Sequence, residues 1–83
     1  MKINYTKHAE EKLKRPDIKN FKINKKIIEA ILKAAKFQSK TKYGDFAEVF
    51  PLNARHDLRI IYDIINSNIK VITFHVSQKG RYK

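Results

Sequence analysis

Cysteine is absent from the 83-residue sequence, and glycine and proline occur only twice each. The lack of cysteine excludes disulfides, thiolate chemistry and cysteine-based zinc sites. Two glycines, Gly44 and Gly80, cannot form a glycine-rich phosphate-binding loop. No long apolar run follows the first residues, so we expect neither a signal peptide nor a membrane span, and a cytoplasmic protein. The three histidines lack short metal-ligand spacings, and we expect no metal and no cofactor.

Acidic residues are also scarce compared with basic ones. The chain has 19 Lys and Arg against 8 Asp and Glu, a net charge of +11. Residues 1–43 hold 13 basic and 4 acidic residues, whereas residues 44–83 hold 6 and 4. A cationic N-terminal half predicts salt-sensitive binding of a polyanion, with RNA favoured. Fifteen of the basic residues are lysines in an isoleucine-rich chain, so an AT-rich genome or a hot habitat is the alternative explanation.

The first half of the chain predicts a short strand and two helices. Residues 2–6 alternate in polarity as a strand does, and Thr6 is a suitable N-cap for a helix over 7–15. Pro16 ends that helix, because the residue before a proline avoids the helical region.

The second helix, over about 25–37, begins after the capping residue Asn24. Its apolar face is formed by Ile27, Ile28, Ile31, Leu32 and Ala35. Its other face presents four lysines that we expect to contact nucleic acid: Lys25, Lys26, Lys33 and Lys36.

After residue 44 the apolar period changes to two, which predicts strands at 46–52, 58–65 and 69–77. Short links between sequential strands favour an antiparallel meander with both helices packed on one face. We therefore expect a single α+β domain over 1–83.

The last two strands constrain each other's pairing. A symmetric three-residue loop at 66–68 directs both apolar sets towards one core: Leu58, Ile60, Tyr62 and Ile64, and Ile72, Phe74 and Val76. In this register Arg59 lies opposite His75 on the other face, beside Asp57 and Ser77, and Lys79 follows. The rest of that face is a half-apolar floor of Ile61, Val71 and Thr73. Ordinary solvated residues on an exposed sheet face are the structural alternative.

The order strand, helix, helix and three strands resembles the RelE/ParE toxin superfamily over nearly the whole chain. Residues 58–62 (Leu-Arg-Ile-Ile-Tyr) and 71–74 (Val-Ile-Thr-Phe) resemble the central hairpin of that family. Residues 5–9 (Tyr-Thr-Lys-His-Ala) resemble the start of small relatives that begin with Thr-x-His-Ala. The resemblance implies a RelE-like fold and a metal-independent endoribonuclease that cleaves mRNA, free or on the ribosome. It also implies a type II toxin–antitoxin system with a cognate antitoxin.

The resemblance further implies site residues. Arg59 resembles the arginine before the last turn, and His75 resembles a basic or histidine residue of the last strand. Arg81 and Tyr82 resemble the Arg and Tyr that often close these chains. In such a reaction the RNA 2′-hydroxyl is the nucleophile. His75 would be the acid or base, the arginines would clamp the phosphate, and Tyr82 would stack on a base or donate a proton.

Glu48 matches the acidic residue that some members carry on the first meander strand. Phe46, Phe50 and Leu52 share its parity and are typical of a core, so exposing Glu48 requires a bulge near Pro51. Glu48 and Asp57 are both candidates for the base.

His8, near the start of the first helix, either makes a structural hydrogen bond or binds an anion. We count His8 and Lys79, with the helix lysines, among the nucleic-acid contacts. Two other functions stay open. One is a non-catalytic basic nucleic-acid-binding module, and the other is a ParE-like protein that binds and inhibits gyrase.

Overall fold

The computed structural model describes residues 2–34, 39–40 and 45–79. Within these residues the chain forms three helices: α1 Lys7–Lys12, α2 Pro16–Asn20 and α3 Lys25–Ala34. It forms five strands there: β1 Ile3–Tyr5, β2 Ser39–Lys40, β3 Phe46–Pro51, β4 His56–Ile65 and β5 Asn68–Gln78. The strands make one sheet in the order β1-β5-β4-β3-β2, where β1 is parallel to β5 and the other pairs are antiparallel.

Thr6 both starts α1 and attaches it to the sheet. Its hydroxyl accepts a hydrogen bond from the Ala9 amide (3.1 Å), which confirms the predicted N-cap. The same hydroxyl donates to the carbonyl of Ile72 (2.7 Å), and the Thr6 amide donates to that of Val71 (3.0 Å). Because β1 pairs only with residues 69–71 of β5, α1 lies beside the part of β5 that follows.

The helix predicted over 7–15 is shorter, because α1 ends at Lys12. Arg15 is extended (ψ 138°), as expected before a proline, and Pro16 is the first residue of an unpredicted helix, α2. Proline suits the first position of a helix, because the amide hydrogen it lacks would have no partner there. The short strand β2 and the parallel pairing of β1 were not predicted either.

Helix α3 begins at the predicted residue, because Asn24 Oδ1 accepts a hydrogen bond from the Ile27 amide (3.0 Å). The predicted end near residue 37 lies outside the described residues.

One hydrophobic core lies between the helical side of the molecule and one face of the sheet. The helical side contributes Ala9, Ile18, Ile23, Ile28, Ile31 and Leu32, and the sheet contributes Leu58, Ile60, Tyr62, Ile69, Val71 and Phe74. Removing these side chains from water is the main stabilising term. The arrangement confirms the α+β class. In the part of the chain that the structure describes, no helix covers the opposite face of the sheet, which we call the open face.

The β4–β5 turn is shorter than predicted. Ile65 pairs with Asn68, so the loop contains two residues and not the three at 66–68. Asn66 and Ser67 have φ angles of 51° and 66°. Positive φ at both positions is typical of the two-residue turns whose twist matches antiparallel strands.

A β-bulge at Ile72 then changes the register. Tyr62 pairs with Val71, and the next pair is Ile61 with Thr73, which leaves Ile72 as the extra residue. The predicted facing of this stretch was therefore wrong: Val71 is fully buried in the core, and Ile72 is not part of it. Beyond the bulge the predicted pairing holds.

Candidate functional site

Arg59 and His75 are cross-strand partners on the open face. Their neighbours in sequence, including Leu58, Ile60 and Phe74, point into the core, so alternation directs Arg59 and His75 away from it. Both residues are half-buried. The sequence predicted this pair, and the structure confirms its placement.

Lys12 reaches His75 from α1. Its Nζ lies 3.2 Å from His75 Nδ1 and 5.6 Å from the centre of the Phe74 ring. Phe74 and His75 point to opposite faces of β5, so the lysine ammonium lies at the strand edge between them. This position is available because β1 ends before it and α1 runs alongside.

His8 belongs to the same group. It lies one helical turn before Lys12 and is exposed, and its charge acts on His75. The structure thus assembles two histidines and two cations from α1, β4 and β5, and we call His8, Lys12, Arg59 and His75 the His75 cluster.

The electrostatics of the cluster favour a neutral His75. Burial is the largest cause that lowers the pKa of His75 below its ordinary value of 6.5, and the charges of Lys12, Arg59 and His8 lower it further. Burial also lowers the pKa of Lys12; Arg15 adds to that shift and Asp17 opposes it. A half-buried site with these cations suits an anionic ligand such as a phosphate.

An ion pair lies beside the cluster on the open face. Asp57, which is 7% exposed, pairs with Ser77 across the strands, and its Oδ1 accepts a hydrogen bond from Lys79 Nζ at 3.1 Å. Lys79 also lines a small cleft with Arg55, His56 and Gln78. The ammonium of Lys79, predicted to contact nucleic acid, is therefore bound to a buried carboxylate.

Glu48 lies on the other side of the sheet. It pairs with the core residue Ile60, and its Oε1 accepts a long hydrogen bond from the Tyr62 hydroxyl at 3.4 Å. Burial raises the pKa of Glu48, and it raises the pKa of Tyr62 to about 12. β4 pairs with β3 without a register shift, so no bulge near Pro51 turns Glu48 outward. The expectation that Glu48 joins Arg59 and His75 is wrong.

The α3 lysines are separated from the cluster by the sheet, because α3 packs on the core side. Lys25 makes an ion pair with Glu10 (2.6 Å) and lies 4.9 Å from the centre of the Tyr5 ring. Lys26 and Lys33 are exposed. These lysines form a second cationic surface instead of a continuation of the first.

Three predicted site residues, Lys36, Arg81 and Tyr82, lie outside the described residues and stay predictions. The predicted apolar floor is smaller than expected, because Val71 belongs to the core and Ile61 is only 8% exposed. The exposed apolar residues of β3 are Val49 and Phe50, at 40% and 43%. They line a groove against α3 together with Ile27, Ala30, Ile31, Ala34 and Glu48.

Lys12 was not predicted from the sequence as a residue of this site. Its spacing of four from His8 is a signal, because residues four apart share one helix face. The parallel β1–β5 pairing that brings this helix face to His75 depends on long-range contacts, which the local pattern does not encode.

No family model, curated protein or solved structure matches this chain. None of the described helices is long and apolar enough to cross a membrane. Among the described residues, no three His, Asp or Glu side chains converge in a way that could hold a metal ion.

Proposed function

We propose that the protein is a RelE-like endoribonuclease that cleaves mRNA through attack of the RNA 2′-hydroxyl, with the His75 cluster as its active site. The observation that carries the proposal is the convergence of His8, Lys12 and Arg59 on a half-buried histidine whose pKa is depressed. Perturbed histidines among cations are typical of phosphate chemistry.

The reaction requires three catalytic roles, and the His75 cluster has a group for each. A base removes the 2′-hydroxyl proton, cations stabilise the negative charge that develops on the phosphate oxygens, and an acid protonates the 5′-oxygen as the P–O bond breaks. We assign the base to His8, which is exposed at the cluster's edge, and the acid to His75. Arg59 stabilises the phosphate, since its planar guanidinium can hold two phosphate oxygens at once.

RNA is the favoured substrate for two reasons. The net charge of +11 attracts polyanions, and the attacking 2′-hydroxyl exists in RNA alone. The products would be a 2′,3′-cyclic phosphate and a 5′-hydroxyl end. Arg81 and Tyr82, as the resemblance implies, would add a phosphate contact and a base contact.

A partner protein follows from the same proposal. A toxin of this class is held inactive by an antitoxin, and an acidic amphipathic segment would complement both the net charge and the apolar groove at Val49 and Phe50. Glu48 and Phe50 of the groove pair with core residues of β4, whereas Val49 pairs with Arg59 and so lies at the border of the open face. Such a segment would therefore bind beside the active site and not within it.

The experiment uses a labelled mRNA fragment, alone and bound to ribosomes, with wild-type protein, His75→Ala and Arg59→Ala. We expect cleavage by the wild type and none by either variant, while both variants still bind RNA. A fragment with a single 2′-deoxynucleotide at the cut site should resist cleavage there. The matched control Lys33→Ala removes a lysine on the opposite side of the molecule and should cleave normally.

The alternative functions give other results. A non-catalytic module would bind RNA without cutting it and would lose little on the change of His75. A ParE-like inhibitor would leave RNA intact and inhibit gyrase with or without Arg59 and His75.

A further inference from the structure

Lys12 occupies an unusual position for a surface lysine. Its ammonium lies 3.2 Å from His75 Nδ1, on the side of the imidazole that faces α1, and is partly desolvated there. Contact with the Phe74 ring, at 5.6 Å, helps to hold it. The chain therefore places a proton donor against Nδ1 of a half-buried histidine on the open face.

The chemistry of the two groups decides the direction of this hydrogen bond. An ammonium has donors and no acceptor, so a contact with neutral imidazole requires Nδ1 to accept. The single imidazole proton is then on Nε2. Among the described residues, the charges that act on the pKa of His75 come from Lys12 and His8 of α1 and from Arg59 of β4, and all three favour the neutral ring.

We infer that Lys12 is a positioning residue that holds His75 as the neutral Nε2–H tautomer and supplies the proton that the histidine gives up. This inference rests on the proposed RNA cleavage. It adds a residue of α1 to that reaction and explains how a histidine that is neutral at the start can act as an acid.

The proton transfers balance in one relay. The Nε2–H bond of His75 breaks as an O–H bond forms on the departing 5′-oxygen, whose P–O bond breaks with its electron pair staying on oxygen. An Nζ–H bond of Lys12 breaks as Nδ1–H forms, so the imidazole stays neutral and Lys12 becomes a neutral amine. Burial makes this loss of charge easier, because it destabilises the ammonium. In the return step Nδ1–H gives its proton back to Lys12 while Nε2 takes a proton from solvent, so His75 regains the Nε2–H tautomer and Lys12 its ammonium.

The test is long-range proton–nitrogen NMR of ¹⁵N-labelled protein without RNA. At about pH 7.5, in the wild type, we expect the Nε2–H pattern for His75, and on acidification a titration midpoint below 6.5. Lys12→Met should raise that midpoint by about half a pH unit or more and give mixed tautomers, because a cation and a donor are lost. Lys12→Arg should keep both properties, and Lys14→Met, an exposed change on the same segment, should alter neither.

A wild-type Nδ1–H pattern, or the same midpoint and tautomer in folded Lys12→Met, would overturn the inference. The tautomer of His75 is measured in the wild type, so the inference can be tested even if Lys12→Met does not fold. Cleavage should fall about tenfold or more in Lys12→Met and recover in part in Lys12→Arg. If no protein cleaves RNA but the NMR changes appear, the positioning role stands and the proposed function fails.

Discussion

Arg59 and His75 lie directly opposite each other across β4 and β5, although the turn between these strands is one residue shorter than a uniform register would need. The bulge at Ile72 supplies the missing residue. It lets Val71 and Ile69 face the core near the turn while Phe74 and Val76 face it further along. The turn and the bulge together put the arginine and the histidine on the same side of the sheet.

The turn itself can be tested through Ser67. Ser67 has a φ of 66°, in the left-handed region. For a residue with a Cβ this conformation costs about 1 kcal/mol or more of free energy. Ser67→Gly should therefore raise the free energy of unfolding by about 0.5–1 kcal/mol in urea titrations. Ser77→Gly, inside β5, should lower it by a similar amount. Equal effects at the two sites would contradict the turn geometry.

The pH dependence of stability should report on His75. Its pKa is near 6.5 in the unfolded chain and lower in the folded protein, so the unfolded state binds more protons between these values. The contribution of His75 to stability is fully present above about pH 6.5 and is lost as the pH falls through the folded pKa. His75→Asn should reduce the loss of stability between about pH 7.5 and 5.5, measured by urea denaturation. The same pH slope in both proteins would argue against a depressed pKa.

Glu48→Gln distinguishes the core-side position of Glu48 in the structure from the catalytic role that the family resemblance implies. Because Glu48 lies on the core side and interacts with Tyr62, the change should leave RNA cleavage within about twofold of wild type. Stability should change by about 1 kcal/mol or less, since the amide oxygen can still accept the Tyr62 hydrogen bond. A loss of cleavage as large as that of His75→Ala, in a folded protein, would restore Glu48 to the active site.

The α3 lysines test the nucleic-acid-binding alternative. Lys26→Gln/Lys33→Gln should leave the salt dependence of RNA binding nearly unchanged if RNA lies on the open face. The measurement is best made in the His75→Ala background, so that the RNA stays intact. If α3 is the binding surface, the slope of log affinity against log salt should become less steep by about 0.7 for each lost contact with single-stranded RNA.

Much of the fold could be predicted from local patterns. Thr6 and Asn24 mark helix starts through their side-chain chemistry, and the alternation of β4 identified which of its residues face the core. The Arg59–His75 pair was predicted from the requirement that both strands bury their apolar sets. Those features depend on residues close in sequence or on one pairing.

The remaining features depend on contacts that local patterns do not determine. Ile72 and Val71 are both apolar, so their sequence does not show which is the extra residue; the two-residue turn decides it. Pro16 fits a helix start as well as a stop. Lys12 lies near His75 because β1 pairs in parallel with β5 and because Thr6 attaches α1 to β5. The attachment joins Thr6 to Ile72, which are 66 residues apart in sequence.

RNA cleavage at Arg59 and His75 is tested in cells by induced expression in a bacterial host, with wild type beside Arg59→Ala/His75→Ala and Lys33→Ala at equal abundance. Growth is followed, and new mRNA 5′ ends are mapped by primer extension. Ligation with and without prior phosphorylation identifies which of these ends carry a 5′-hydroxyl. We expect growth arrest and new 5′-hydroxyl ends for wild type and Lys33→Ala, and neither for the double variant. Intact mRNA with folded wild-type protein, or identical new ends from the double variant, would contradict an RNA-cleaving site at Arg59 and His75.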